Sequence, residues 1–307
     1  MTLNATSEAS EADNKPVIND NPALQSYYQS LESRIGYRLV LGGTRHFGYW
    51  DHDTYWPFPL SASLRRMEDK LAERLSLPPG SRILDAGCGV GAVAITMASK
   101  YKYRIQAIDV VEHHVAKAQK NVARAKLPKG QIDVRRMDYH HLESLDTESF
   151  DGLYTMETFV HATDPKSVLK GFHRLLRPGG RLVLFEYDNV FTPTTSNPLA
   201  ESMRYVNKIA AMPTNDISHP GVFTELLEEA GFTNIELRDY SDNIRPMTRV
   251  FYLMAYIPYL ITTFLGLQRF FINTMAGVGT YQGYGSWRYV AISATKPGGP
   301  IEAPKSV

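Results

Sequence analysis

Ile83-Leu84-Asp85-Ala86-Gly87-Cys88-Gly89-Val90-Gly91-Ala92 is the stretch on which the fold of this chain turns. Apolar residues run into an acid, glycines then alternate at Gly87, Gly89 and Gly91, and Ala92 to Lys100 reads as the start of a helix. A strand, a tight turn and a helix in that order bring bare backbone N–H groups up to an anionic or carboxylate-bearing ligand at a helix N-terminus. Glycine is required because a side chain would block that approach or forbid the backbone angles. Such a loop alone is common to nucleotide-binding βαβ units. Asp85 before the loop and Asp109, 18 residues beyond Gly91, sharpen it.

Strand patterns recur at 82–86, 104–108, 132–136, 150–155 and 181–187, with helical patterns between them at 91–100, 112–126 and 165–176. This alternation predicts a parallel sheet with helices on both faces. A helix from Val222 to Ala230, a strand near 234–240 and a last strand from Trp287 to Ala294 bring the strands to seven, mostly parallel. Leu64, Met67, Leu71 and Leu75 recur at helical spacing ahead of the first strand. The expected organisation is a disordered tail (1–20), an N-terminal helical lid (21–77), a core (78–240), an apolar helical cap (241–284), the final strand (285–297) and a second tail (298–307).

The formal net charge of +1 is not gathered into a basic stripe, which argues against nucleic acid as a partner. Cys88 is the single cysteine, so no disulfide framework or cysteine-based metal site is expected, and a reducing, cytoplasmic location fits. The N-terminus lacks the order of a signal peptide. Val250 to Leu267 contains 18 residues without a charge, long enough to raise a membrane span. Pro258 interrupts the segment and it lies within the sheet's own sequence order, so a buried cap over an apolar pocket is expected. Peripheral contact with a membrane is the alternative.

The chain resembles class I S-adenosylmethionine (SAM)-dependent methyltransferases, and within them the sterol 24-C-methyltransferase and tocopherol methyltransferase-like group, over roughly residues 25 to 297. The resemblance rests on Leu84 to Gly91, Phe150-Asp151-Gly152-Leu153-Tyr154, Met156-Glu157-Thr158-Phe159-Val160-His161-Ala162, Leu175 to Leu182 and Phe185-Glu186-Tyr187. Thr44 to Asp51 is similar to a stretch of the tocopherol group, and Phe264 to Phe270 to the sterol cap. The chain departs from the sterol group in lacking a Tyr-Glu-Tyr-Gly-Trp-Gly stretch and in carrying Asp109 where Asn is usual. The resemblance implies a Rossmann-like sheet, SAM as cofactor and methyl transfer to a small lipophilic acceptor such as a terpenoid, at carbon. O- or N-methylation of an apolar metabolite is the alternative. A SAM-binding pericyclase or a non-catalytic partner protein of this fold is the reading from another class.

Asp109, with Val110 beside it, is expected at the ribose hydroxyls, or else as a helix cap. Asp85 would orient the glycine loop or reach the methionine amino group. The resemblance places Asp138 and Tyr139 at adenine and Glu157 beside the methionine moiety. Arg45 is a candidate for the cofactor carboxylate. His161, His46 and Glu186 are the candidate proton acceptors, each against a packing or ion-pairing reading. Tyr28, Tyr187, Tyr256, Leu260 and Phe264 are the candidates for acceptor contact. The pairs His113-His114 and His140-His141 are adjacent and diverge on a helix, so no metal is expected.

Overall fold

The computed structural model describes residues 21–29, 42–192, 194–299 and 301. The expected tail at 1–20, most of that at 298–307, and residues 30–41 of the expected lid lie outside them. Two helices precede the sheet, α1 (Pro22–Gln29) and α2 (Leu60–Leu75). The alternating core follows as β1 (Arg82–Ala86), α3 (Ala92–Tyr101), β2 (Arg104–Asp109), α4 (Glu112–Arg124), β3 (Ile132–Arg136), β4 (Phe150–Met156), α5 (Pro165–Leu175) and β5 (Leu176–Asn189). Then come α6 (Pro198–Ile209), α7 (Pro213–Ile217), α8 (Val222–Glu229), β6 (Thr233–Asp239), α9 (Ser241–Phe264), α10 (Ile272–Gln282) and β7 (Trp287–Thr295).

The seven strands form one sheet in the order β3-β2-β1-β4-β5-β7-β6. The first five are parallel, and β7 runs antiparallel to both β5 and β6. Side chains alternate between the faces of a strand. Ile83, Val183 and Phe185 accordingly join one buried cluster, with Leu64, Met67, Leu71 and Leu75 of α2. Leu84, Leu182 and Leu184 join the other, with Val168, Leu169 and Phe172 of α5. Met67, Leu71 and Leu75 are fully buried, and each contributes about 1.5–3 kcal/mol by leaving water.

Strand order reverses between β1 and β4, so the helices after those strands diverge to opposite faces and leave a crevice at the carboxyl ends. The first cavity described below opens there. Two features departed from expectation. Helices α6 and α7, inserted after β5, had no counterpart in the sequence reading. Pro258 does not interrupt α9, which runs for 24 residues with Pro246 and Pro258 inside it. Packing against α10 sustains it: an added Cβ at Gly277 would lie 3.3 Å from Ala255 Cβ. No helix among the described residues is long and apolar enough to cross a membrane.

Candidate active site

The glycine turn after β1 is held by the end of β2. Gly87 N and Cys88 N both donate to Ile108 O at 2.9 Å, and Gly89 N donates to Asp109 Oδ2 at 2.8 Å. Asp109 Oδ1 accepts from Val111 N at 2.8 Å and lies 3.3 Å from His114 Nδ1. Burial pushes the Asp109 carboxyl up, but His114 and these N–H groups outweigh it and hold it below its ordinary value. Asp109 thus staples the loop in place while lining the cavity beside it. Gly87 and Gly89 have φ of +107° and +54°. A Cβ on Gly87 would overlap Thr158, whereas nothing lies within 4 Å of one on Gly89. That bare space is where a bound group would approach the backbone. Gly91 caps α3, packs toward Ala118 and does not line the cavity.

This first cavity, of about 170 Å³, is lined by Asp85, Gly87, Cys88, Gly89, Asp109, Val110, Asp138 and Tyr139. Asp85 is 2% exposed, and its Oδ2 has no partner among the described residues. Burial raises its carboxyl to about 7. A buried carboxylate oxygen left without a donor is costly, and a ligand ammonium would relieve it. Asp138 Oδ1 accepts from His140 N at 2.9 Å and lies 2.7 Å from His140 Nδ1, while Tyr139 donates to Thr158 O at 2.9 Å.

Helix α1 closes the cavity from the other side. Tyr28 OH lies 2.8 Å from His161 Nε2, and His161 Nδ1 lies 2.8 Å from Ala211 O. A carbonyl only accepts, so Nδ1 carries the proton and Nε2 accepts from Tyr28. Burial holds the imidazole down to about 4, which keeps it neutral. The Arg45 guanidinium stands 4.7 Å from the centre of the Tyr28 ring.

A second cavity, of about 430 Å³, lies between β5, α6, α9 and α10. Its wall is largely apolar and includes Phe47, Leu199, Val206, Phe251, Ile272 and Trp287. Arg45, His46, Glu157, Tyr187 and Tyr27 line both cavities. Tyr27 donates to Asn273 Oδ1 at 2.8 Å and so ties α1 to α10. Glu157, at φ +58°, stands at the junction. Its Oε1 accepts from Phe47 N at 2.7 Å and Tyr289 OH at 2.8 Å, and its Oε2 accepts from Tyr187 OH. Burial raises its carboxyl above the ordinary value despite these donors. His46 faces Phe47 O through Nδ1 at 2.9 Å and Glu68 Oε1 through Nε2 at 3.3 Å.

The structure therefore gathers fourteen of the expected residues around two joined cavities and leaves others out. Glu186 lines neither: it is fully buried, and its Oε1 accepts from Phe159 N, Thr158 N and Thr155 Oγ1 at 2.7, 3.2 and 3.1 Å. Its place is beneath the turn that carries His161, not beside a substrate. Tyr256, Leu260 and Phe264 are also outside both cavities, at 37%, 46% and 88% exposure. Helix α9 faces the larger cavity with Phe251, Met254, Ala255 and Pro258 instead. Tyr27, Phe47 and the polar residues Asn189, Asn207 and Asn215 were not anticipated. The tyrosine beside Tyr28 and the place of Phe47 in the Thr44 to Asp51 stretch were the available signals among these. No cluster of three or more His, Cys, Asp or Glu side chains suited to a metal ion occurs among the described residues.

Residues 84–184 match the family model described as a methyltransferase domain. The SAM-dependent Diels–Alderase iccD of Talaromyces variabilis is 46% identical over 278 residues, covering 90% of this chain and 95% of that protein. The SAM-dependent Diels–Alderase iliD of Neonectria sp. (strain DH2) is 48% identical over 234 residues, covering 75% and 91%. The O-methyltransferase resE of Aspergillus sclerotiorum is 31% identical over 235 residues, covering 76% and 84%. The sterol and tocopherol subgroup expected from the sequence finds no support in these relatives. With nearly half its residues identical to such a relative over nine-tenths of its length, the chain belongs to the SAM-dependent methyltransferase-fold family.

Proposed function

We propose that this protein binds SAM in the smaller cavity and catalyses an intramolecular Diels–Alder cycloaddition of an apolar polyene in the larger one. The sequence puts methyl transfer first, at carbon or else at oxygen or nitrogen, and a SAM-binding pericyclase or non-catalytic partner as the reading from another class; the relatives named Diels–Alderases support the pericyclase. The observation that carries the proposal is the state of Glu157. It is the carboxylate that borders the larger cavity among the described residues, and it already accepts three hydrogen bonds, while both ring nitrogens of His46, the imidazole there, already face Phe47 O and Glu68 Oε1. Methylation of a hydroxyl, an amine or an alkene releases a proton that a positioned base must take. A cycloaddition releases nothing. Two σ bonds form as three π bonds become one, and no atom or proton leaves.

Asp109 would hold the ribose, Asp138 and Tyr139 the adenine, and Asp85 with Arg45 the amino-acid end. The unpartnered Asp85 Oδ2 is the feature that fits an ammonium. When bound, SAM supplies a fixed positive charge. Tyr28, held by His161, and Tyr27, held by Asn273, keep α1 over the site and water out. The apolar wall compels an extended chain to fold with diene and alkene in contact. Such pre-orientation replaces the entropy that an unassisted reaction must lose.

The test is to incubate the enzyme with methyl-labelled SAM and a linear polyene carrying a diene and a separated alkene. A cyclised product of unchanged mass and without label is expected. Label in the product would overturn the proposal in favour of methyl transfer.

A further inference from the structure

On the side of the larger cavity formed by α6 and α7, two buried asparagines form a hydrogen-bonded pair whose direction is fixed. Asn215 on α7 lines the cavity and is 7% exposed; Asn207 on α6, 2% exposed, lines it beside Asn215. The Asp216 carboxylate only accepts, so Asn207 must turn Nδ2 toward it, and the two lie 2.6 Å apart. That places Asn207 Oδ1 toward Asn215, which must then donate through Nδ2, at 2.9 Å. Asn215 Oδ1 is left over, buried and without a partner among the described residues. Flipping the Asn215 amide would set two carbonyl oxygens against each other, so the polarity is locked.

The backbone around Asn215 is equally fixed. Asn215 O accepts from Asn189 Nδ2 at 2.8 Å, Thr214 Oγ1 donates to Ala162 O at 2.6 Å, and Ser218 Oγ donates to Thr214 O at 2.6 Å. A buried acceptor held this rigidly is costly when unsatisfied. We propose that Asn215 determines substrate specificity by accepting a hydrogen bond, through Oδ1, from an N–H or O–H group on the polyene. The substrate class is then a polyene with a donor-bearing polar end, such as an amide or an alcohol, rather than a hydrocarbon, an ester or an ether. The reacting chain is taken from the cycloaddition reading above, but the recognition itself is a matter of binding.

The experiment uses the full chain saturated with S-adenosylhomocysteine and two probes. One is the primary amide of a linear conjugated polyenoic acid. The other is its N,N-dimethyl amide, which keeps the carbonyl and has no N–H. Calorimetry should show the primary amide binding wild type about 10- to 100-fold more tightly, the range for satisfying or stranding one buried acceptor. In Asn215→Ala the preference should fall to within a few-fold, with S-adenosylhomocysteine affinity and melting temperature as controls for folding. Equal affinity of wild type for the two probes, no binding of either, or a preference that survives in Asn215→Ala overturns the proposal. The wild-type comparison stands even where the variant fails to fold. A donor-bearing polyene that binds with this preference yet is not cyclised refutes the proposed reaction and leaves the role of Asn215 intact.

Discussion

Replacing Glu186 with Gln should make the protein more stable at neutral pH, by an amount that grows with pH. Glu186 is fully buried in β5, with Oε1 accepting from Phe159 N, Thr158 N and Thr155 Oγ1, and Oε2 without a partner among the described residues. Burial raises its carboxyl to about 8 from an ordinary 4.5; the N–H of Phe159 opposes the rise and the charge of Glu157 adds to it. A group whose folded value lies above its unfolded value contributes its full stability below the lower one. That contribution is lost as pH rises through the upper one. Each pH unit between the two is worth about 1.4 kcal/mol. The wild type therefore loses on the order of 3 kcal/mol between 4.5 and neutrality and on the order of 5 kcal/mol once titration is complete. Gln keeps an acceptor oxygen for the three donors and does not titrate. Urea melts followed by circular dichroism from about pH 4 to about pH 9 should show the two proteins converging in acid. Above that the variant should pull ahead, reaching a plateau beyond pH 8. A difference that is flat, or that favours wild type as pH rises, would refute the reasoning. Because Glu186 lines neither cavity, affinity for S-adenosylhomocysteine and turnover should stay within a few-fold of wild type. A hundredfold fall in turnover at unchanged stability would restore it as a proton acceptor.

Two further substitutions probe the cavities separately. Gly89→Val places a β-branched side chain at φ +54° and in the open space above the loop, and should abolish SAM binding. Asp109→Ala strands Gly89 N and Val111 N and should weaken binding about 10- to 100-fold; calorimetry with unaltered affinity in both would end the cofactor assignment. Phe251→Asp sets a charge in the wall of the larger cavity and should weaken polyene binding by about 100-fold or more while SAM affinity stays within a few-fold. Phe264→Asp, at a side chain 88% exposed, should change neither, and a loss of turnover there would show that the cap meets substrate by another face.

The sheet was legible in the sequence because its signals are local. Alternating apolar residues at Ile83 and Leu84 report a strand buried on both faces, and Gly87 and Gly89 report a turn that other residues cannot make. Asp85, Asp109, Asp138 and Glu157 could be named for a related reason. Parallel strands end at one edge, so residues closing β1 to β4 converge without any knowledge of side-chain packing.

The cap was not readable in that way. From 250 to 264 every face of α9 is uncharged, so no periodicity marks the side that meets the cavity; packing on α10 turned Phe251 and Ala255 inward and Leu260 and Phe264 outward. Helices α6 and α7 gave no sign of the Asn207–Asn215 pair, because its polarity is set by Asp216 through hydrogen bonds and not by spacing. The same is true of two acids, Glu157 just after β4 and Glu186 within β5. Glu157 and Glu186 are both glutamates after an apolar run, yet Glu157 opens on both cavities while Glu186 lies under the His161 turn. Whether Glu157 could take a proton depends on Phe47, Tyr187 and Tyr289, whose groups reach it from three distant parts of the chain. The chain sequence alone determined the sheet, the glycine turn and the cofactor class, which are written in neighbouring residues. The tertiary structure alone decided which cavity wall a substrate meets and which acids are left free, because hydrogen bonds between remote segments settle both.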